Sequence, residues 1–108
     1  MVRKSQKTKL QKSDPSHVFE RHCLDRRHGI YLVRKIGVDE QGNVVSYSLA
    51  YIDPTIFSKD NGRVLGYDNS HGYHHRHYKG KMEPVDFTSF TELEQRFEME
   101  VKELRNEH

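Results

Sequence analysis

Apolar and polar residues alternate with a period of two through the middle of this chain and with a period of three to four at its end. From Ile30 to Val38 the alternation places Ile30, Leu32, Ile36 and Val38 on one face of a strand. Asp39 to Asn43 (DEQGN) reads as a hairpin loop, with Gly42 free to take a positive φ. Val44 to Ile52 follows as a second strand, with Val45, Tyr47, Leu49 and Tyr51 on one side. Asp53-Pro54 breaks it, Lys59 to Gly62 turns the chain, and Arg63 to Asp68 makes a third strand through Val64, Leu65 and Tyr67. Loops this short favour antiparallel neighbours.

The period changes at Ser89. Ser89 and Glu92 have the spacing of a capping box, and Phe90, Leu93, Phe97, Val101 and Leu104 form one helical stripe able to lie on the sheet. The other side of that helix carries Glu92, Glu94, Glu98, Glu100, Glu103 and Glu107, as a solvated surface or a docking face for a basic partner. Before the first strand, Asp14-Pro15 and Gly29 bracket residues 15–28 as a short helix, with a narrow apolar face of Val18, Phe19, Cys23 and Leu24, and a strand across part of the same segment is the alternative. Gly80 and Pro84 mark a loose segment. The fold class expected is α+β: an antiparallel meander of three to four strands, a C-terminal helix packed on one face, and a short N-terminal helix.

Composition narrows this picture. A chain of 108 residues, 33% hydrophobic, makes one small domain with a thin core, expected over 14–108. Residues 1–13 (MVRKSQKTKLQKS) are basic and nearly without apolar side chains, so they read as a disordered arm, either tracking phosphates or merely solvated. The net charge of +2 conceals an asymmetry of +4 over 1–16, +3 over 17–81 and −5 over 82–108, which suits the first two-thirds to a polyanion. The single cysteine, Cys23, excludes an internal disulfide and reads as a small buried filler. No signal peptide or long apolar span is evident, so no membrane role and a cytoplasmic location are expected.

Chemistry concentrates between Gly66 and His77, where four of the eight histidines stand with Asp68, Arg76, Tyr67 and Tyr73. Imidazoles exchange protons near neutral pH without any cofactor. Two of them with a cation can cleave RNA: a base takes the 2′-OH proton, an acid protonates the leaving 5′-oxygen, and the cation steadies the phosphate. If Tyr73 to Tyr78 is a fourth strand, His75 and His77 share a face with Tyr73 and become the acid–base pair, while His74, Arg76 and Tyr78 share the other face. Arg76, Lys79 or Lys81 would be the cation, and Asp68 would orient one ring. Tyr67, Tyr73 and Tyr78 offer stacking surfaces for unpaired bases. The same donors, with His71 or His74, could instead chelate a divalent metal, although the paired carboxylates of two-metal nucleases are missing. A plain polar turn, with histidines stacked on tyrosines, is the non-functional alternative.

Tyr67-Asp68-Asn69, His75-Arg76-His77, the hairpin strand Ser46-Tyr47-Ser48-Leu49-Ala50-Tyr51 and the Phe90/Leu93/Phe97 helix together resemble the TumE-like family of toxin–antitoxin proteins, over residues 30–106. The resemblance implies a growth-inhibiting toxin, encoded beside and silenced by a helix-turn-helix antitoxin, with a compact RelE-like architecture and ribonuclease activity. It singles out Tyr67, Asp68, Asn69, His75, Arg76 and His77; His74 departs from the acidic residue expected there. The expected function is therefore a metal-independent endoribonuclease toxin with no cofactor, acting on RNA as a homodimer or a toxin–antitoxin hetero-oligomer. A non-enzymatic nucleic-acid- or partner-binding module and a metal-dependent or zinc-stabilised protein stay open beside it.

Overall fold

A computed structural model describes residues 16–107; the basic arm expected over 1–13 and the Asp14-Pro15 cap lie outside them. Six strands follow one another as an antiparallel meander, β1 His17–Asp25, β2 Ile30–Val38, β3 Val44–Ile52, β4 Arg63–Asp68, β5 His75–Tyr78 and β6 Lys81–Pro84, and the helix α1 Phe90–Glu107 closes the chain. The bounds of β2, β3 and β4 are those given by alternation, and Gly42 has φ 86° in the hairpin between β2 and β3.

Two elements correct the sequence reading. Residues 17–25, expected within a helix, form the edge strand β1, paired along its length from His17↔Gly37 to Asp25↔Ile30. The proposed helix had too narrow an apolar face to repay its burial, whereas the neighbouring β2 offers every second backbone group a partner. Gly29, read as a helix stop, sits instead in the turn 26–29 that joins β1 to β2. Cys23 lies on this edge strand and is exposed, not buried. The segment between Gly80 and Pro84 is the other edge strand, β6; its Pro84 is tolerated at the outer edge of a sheet.

Strand alternation gives the sheet two unlike faces. On one, Tyr47, Leu49, Tyr51, Leu65 and Tyr67 meet Leu93, Phe97, Val101 and Leu104 of α1 in the core. Each such side chain contributes about 1.5–3 kcal/mol by leaving water. Ser89 Oγ accepts a hydrogen bond from Glu92 N at 3.1 Å, as the capping box requires, but the Glu92 carboxylate accepts from Thr88 Oγ1 at 2.5 Å. Glu94 and Glu100, expected on the outer side of the helix, turn inward: Glu94 pairs with Arg34 of β2, and Glu100 accepts from the Tyr67 hydroxyl and pairs with Arg76 at 2.7 Å. Those contacts fix how α1 crosses the sheet. Among the described residues no helix lies over the opposite face, and the candidate site is there.

Candidate active site

Register alone brings the open-face residues into two rows across the sheet. One runs Phe19, Lys35, Ser48, Asp68, His75 and the other Arg21, Val33, Ala50, Gly66, His77. Asp68 ends β4 opposite His75, and the next row places His77 beside them, so one carboxylate meets two imidazoles without help from any loop. His75 Nε2 is 2.7 Å from Asp68 Oδ1, and His77 Nε2 is 3.2 Å from Oδ2. Ser70, in the 3-10 turn after β4, donates to Oδ1 through its hydroxyl at 2.6 Å and its backbone N–H at 3.1 Å. Burial alone would raise the Asp68 carboxyl, but the Ser70 donors and the two imidazoles together hold it below the usual carboxylate value.

The two rings differ in what faces their second nitrogen. His75 Nδ1 is 3.1 Å from the Tyr73 carbonyl oxygen, so both of its nitrogens meet acceptors, and the residue is only 1% exposed. His77 Nδ1 receives a hydrogen bond from the Arg63 guanidinium at 3.2 Å. An arginine only donates, so Nδ1 carries the lone pair and the proton sits on Nε2, pointing at Asp68. Burial, followed by the charge of Arg63, lowers the His77 pKa below its ordinary value. The His77 side chain is 16% exposed, making it the reachable imidazole of the pair.

Arg63 reaches this position because Gly66 has no side chain. A Cβ on Gly66 would stand 3.0 Å from Arg63 Cδ and 3.3 Å from the Leu49 carbonyl oxygen. Arg63 is also anchored by Asp60, its Nε donating to Oδ2 at 2.8 Å. Sequence reading used Arg63 only as the start of a strand. The signal it passed over is a basic residue at a strand entrance three positions before a glycine.

The remaining expected site residues are dispersed by the sheet. Arg76, expected as the cation, projects to the helix face, where Glu100 and Glu83 neutralise it and Tyr78 stacks 5.0 Å from its guanidinium carbon. Alternation separates it from His75 and His77, so adjacency in sequence misleads. Tyr67 is fully buried and presents no stacking surface. Lys79, in the turn after β5, holds its ammonium 5.4 Å from the Tyr78 ring centroid, and Lys81 is an exposed residue of β6 paired with Tyr78. Asn69 accepts from Tyr47 N and donates to the Val45 carbonyl, both at 3.0 Å, extending the β3–β4 pairing by one side-chain step. His74 stacks on Phe87 at 3.8 Å and lies 2.9 Å from the Tyr47 hydroxyl, which is the stacking role of the plain polar-turn alternative. His71 and Tyr73 stay on the open face, their rings 6.2 and 4.8 Å from that of His75. His71 takes φ 66°, a left-handed conformation that aims its exposed ring back at the cluster.

Asp68, His75 and His77 also have the donor types of a metal site, each offering one ligand atom within 4.8 Å of the others. The second-sphere geometry fits this half-way. His75 Nδ1 faces a backbone carbonyl, as a metal-bound histidine requires, but His77 Nδ1 faces a guanidinium, which leaves the proton on the nitrogen that would have to bind the ion.

Both pKa displacements act on stability in the same direction. The folded His77 value lies below 6.5, so as pH falls through that window the unfolded chain takes up a proton that the fold does not, and stability drops. The Asp68 contribution is complete above 3.8 and is lost as pH falls through its lower folded value. Urea unfolding at about pH 7.5 and about pH 5 should therefore show a loss of stability on acidification that is smaller in His77→Gln.

These features define a small sheet-and-helix protein with a carboxylate–imidazole–guanidinium cluster on the face of its sheet opposite α1. The chain belongs to the Toxin TumE family, whose model matches residues 2–106. That match takes in the basic arm, which the resemblance noted from sequence had left out. The protein is thus a toxin component, and the family implies an antitoxin partner. No curated protein and no solved structure matches the chain. Among the described residues, no helix is long and apolar enough to cross a membrane.

Proposed function

We propose that this toxin is a metal-independent endoribonuclease whose reactive group is His77. The observation that carries the reading is the neutral His77 ring, fixed by Asp68 at Nε2 and presenting its Nδ1 lone pair toward an arginine on an exposed face. When a phosphate draws the Arg63 guanidinium to its oxygens, Nδ1 is freed to take the 2′-OH proton. The 2′-oxygen then attacks phosphorus, the 5′-oxygen departs, and Arg63 offsets the charge on the phosphoryl oxygens. His71, exposed and aimed at the cluster, supplies the proton to the leaving 5′-oxygen. His75, too buried to meet substrate, holds Asp68 in place from behind, and Tyr73 offers its ring to a neighbouring base.

The test is incubation of the purified full chain with RNA in EDTA. Cleavage giving a 2′,3′-cyclic phosphate and a 5′-hydroxyl supports the reading, and intact RNA refutes it. The rate should rise with pH through the lowered His77 value and fall again on the alkaline side, because the reaction needs a protonated acid as well as a free base. Gly66→Ala should slow cleavage about tenfold or more through the displaced Arg63, with a stability loss of about 1 kcal/mol, measured by initial rates beside urea unfolding.

A divalent-metal site on Asp68, His75 and His77 is the second reading, favoured by the convergence of their donor atoms. Metal analysis of protein never exposed to a nickel column separates the two. In either case the biological setting we propose is cytoplasmic, with a helix-turn-helix antitoxin as partner.

A further inference from the structure

The open face holds more than the reactive corner. Its middle is floored by Gly37, Ser46, Ser48, Ala50 and Gly66, none of which rises far above the backbone, and register lines them up across β2, β3 and β4. At the β1–β2 side, two cation–aromatic pairs border this floor: Arg21 lies 3.9 Å over the Tyr31 ring, and Lys35 Nζ lies 5.8 Å from the Phe19 ring centroid. Phe19 is 63% exposed, far more than an aromatic side chain needs to be in a chain with so few apolar residues. Neither Arg21 nor Lys35 has a carboxylate partner among the described residues, in contrast to Arg34 and Arg76 on the helix face, which have two each. A cleft of about 730 Å³ runs along this floor from Phe19 and Lys35 over Ser46 and Ser48 to Asp68 and Ser70, where it meets the carboxylate that holds His77.

We propose that this trough is the track for a single strand of RNA, which enters over Phe19 and Tyr31 and ends with its reacting phosphate at Arg63 and His77. The inference rests on the ribonuclease reading for the identity of the far end, but the track itself is argued from the face. Four strand-to-strand steps from β1 to β5 span about 19 Å, room for a few nucleotides laid across the strands. The exposed Phe19 ring at one bank suits an unpaired base, which a duplex keeps stacked inside, and the cations over Tyr31 and Phe19, which no carboxylate among the described residues neutralises, suit the phosphates. A protein partner would want large apolar side chains at the centre of its footprint and a polar rim, whereas this floor is built of small residues and carries its large rings and its cations at the edge.

The experiment uses the full chain and a 2′-O-methyl oligonucleotide, which cannot be cut because its attacking hydroxyl is blocked, with binding followed by fluorescence anisotropy. The double variant Arg21→Glu, Lys35→Glu should bind at least about tenfold more weakly with a salt dependence shallower by about one unit of slope. Ser48→Trp, which fills the floor without changing charge, should weaken binding comparably, and Lys102→Glu on the outer side of α1 should leave it unchanged. A duplex of the same sequence should bind less well than the single strand. Unchanged affinity in the double variant, equal affinity for duplex, or equally effective competition by polyglutamate of matched charge would each overturn the proposal, the last by pointing to an acidic protein. The two readings fail separately. Binding that depends on Arg21 and Lys35 without cleavage of natural RNA leaves the track and removes the ribonuclease. Cleavage with an unaltered KM in the double variant does the reverse.

Discussion

Replacing His77 with glutamine is expected to lower RNA cleavage by about 10²- to 10⁴-fold, the contribution typical of a positioned proton-transfer group, while the protein stays folded. The expectation follows from one asymmetry. Of the two imidazoles on Asp68, only that of His77 is reachable, and only its outer nitrogen carries a lone pair, because the arginine facing it can do nothing but donate. Arg63→Ala should cost about as much, since it removes the cation that offsets the phosphate's negative charge while leaving the base in place. His75→Gln should act differently, lowering stability along with rate, because its ring fills a fully buried site between Tyr73 and Asp68. Initial rates in EDTA, measured beside urea midpoints for each variant, decide the matter. Cleavage by His77→Gln at the parent rate would remove His77 from the mechanism.

Asp68→Ala is expected to destabilise the fold by about 3–5 kcal/mol, the usual result of removing one partner from a buried charged cluster. Four hydrogen-bonding groups lose their acceptor at once: the Ser70 hydroxyl and N–H, and the Nε2 atoms of His75 and His77. The melting temperature should fall by more than about 10 °C for a domain of this size. Asp68→Asn keeps the shape and one carbonyl acceptor, so it should retain most of the stability yet lose most of the activity, because the amide no longer enforces the Nε2–H tautomer of His77. A thermal melt of Asp68→Ala within a few degrees of the parent would show that the cluster is not the fixed assembly described above.

For a toxin component with an antitoxin partner, the placement of the site has a practical side. The open face is uncovered in the described chain, so an antitoxin segment lying across the trough would silence binding and cleavage together, whereas one bound on the acidic surface of α1 would leave both intact. Oligonucleotide binding by the toxin–antitoxin complex distinguishes these arrangements.

The central strands and the C-terminal helix were legible in the sequence because their burial is one-sided: Leu49 and Tyr51 alternate with polar neighbours, and Leu93, Phe97, Val101 and Leu104 repeat at helical spacing, so the pattern itself specifies which face is inside. β1 was legible only as the alternative to a helix, because an N-cap signal and a turn glycine bracket it locally while the pairing that makes it a strand comes from β2, outside the segment. β6 was obscured by Pro84, which is disfavoured in a strand except at an edge, and nothing in the local sequence states that the segment is an edge. The sequence by itself determined the α+β class, the chain order of the main elements, and the gathering of Asp68, His75 and His77 on one face, since alternation on β5 puts the histidines together and the short β4–β5 connection returns them to the end of β4. Tertiary structure alone decided which cation joins them. Alternation already sets Arg76, next to both histidines in sequence, on the other face, but nothing local names its replacement: Arg63 crosses a glycine from the far end of β4. A strand sends neighbouring side chains in opposite directions, and only the folded sheet shows which distant residues share a side.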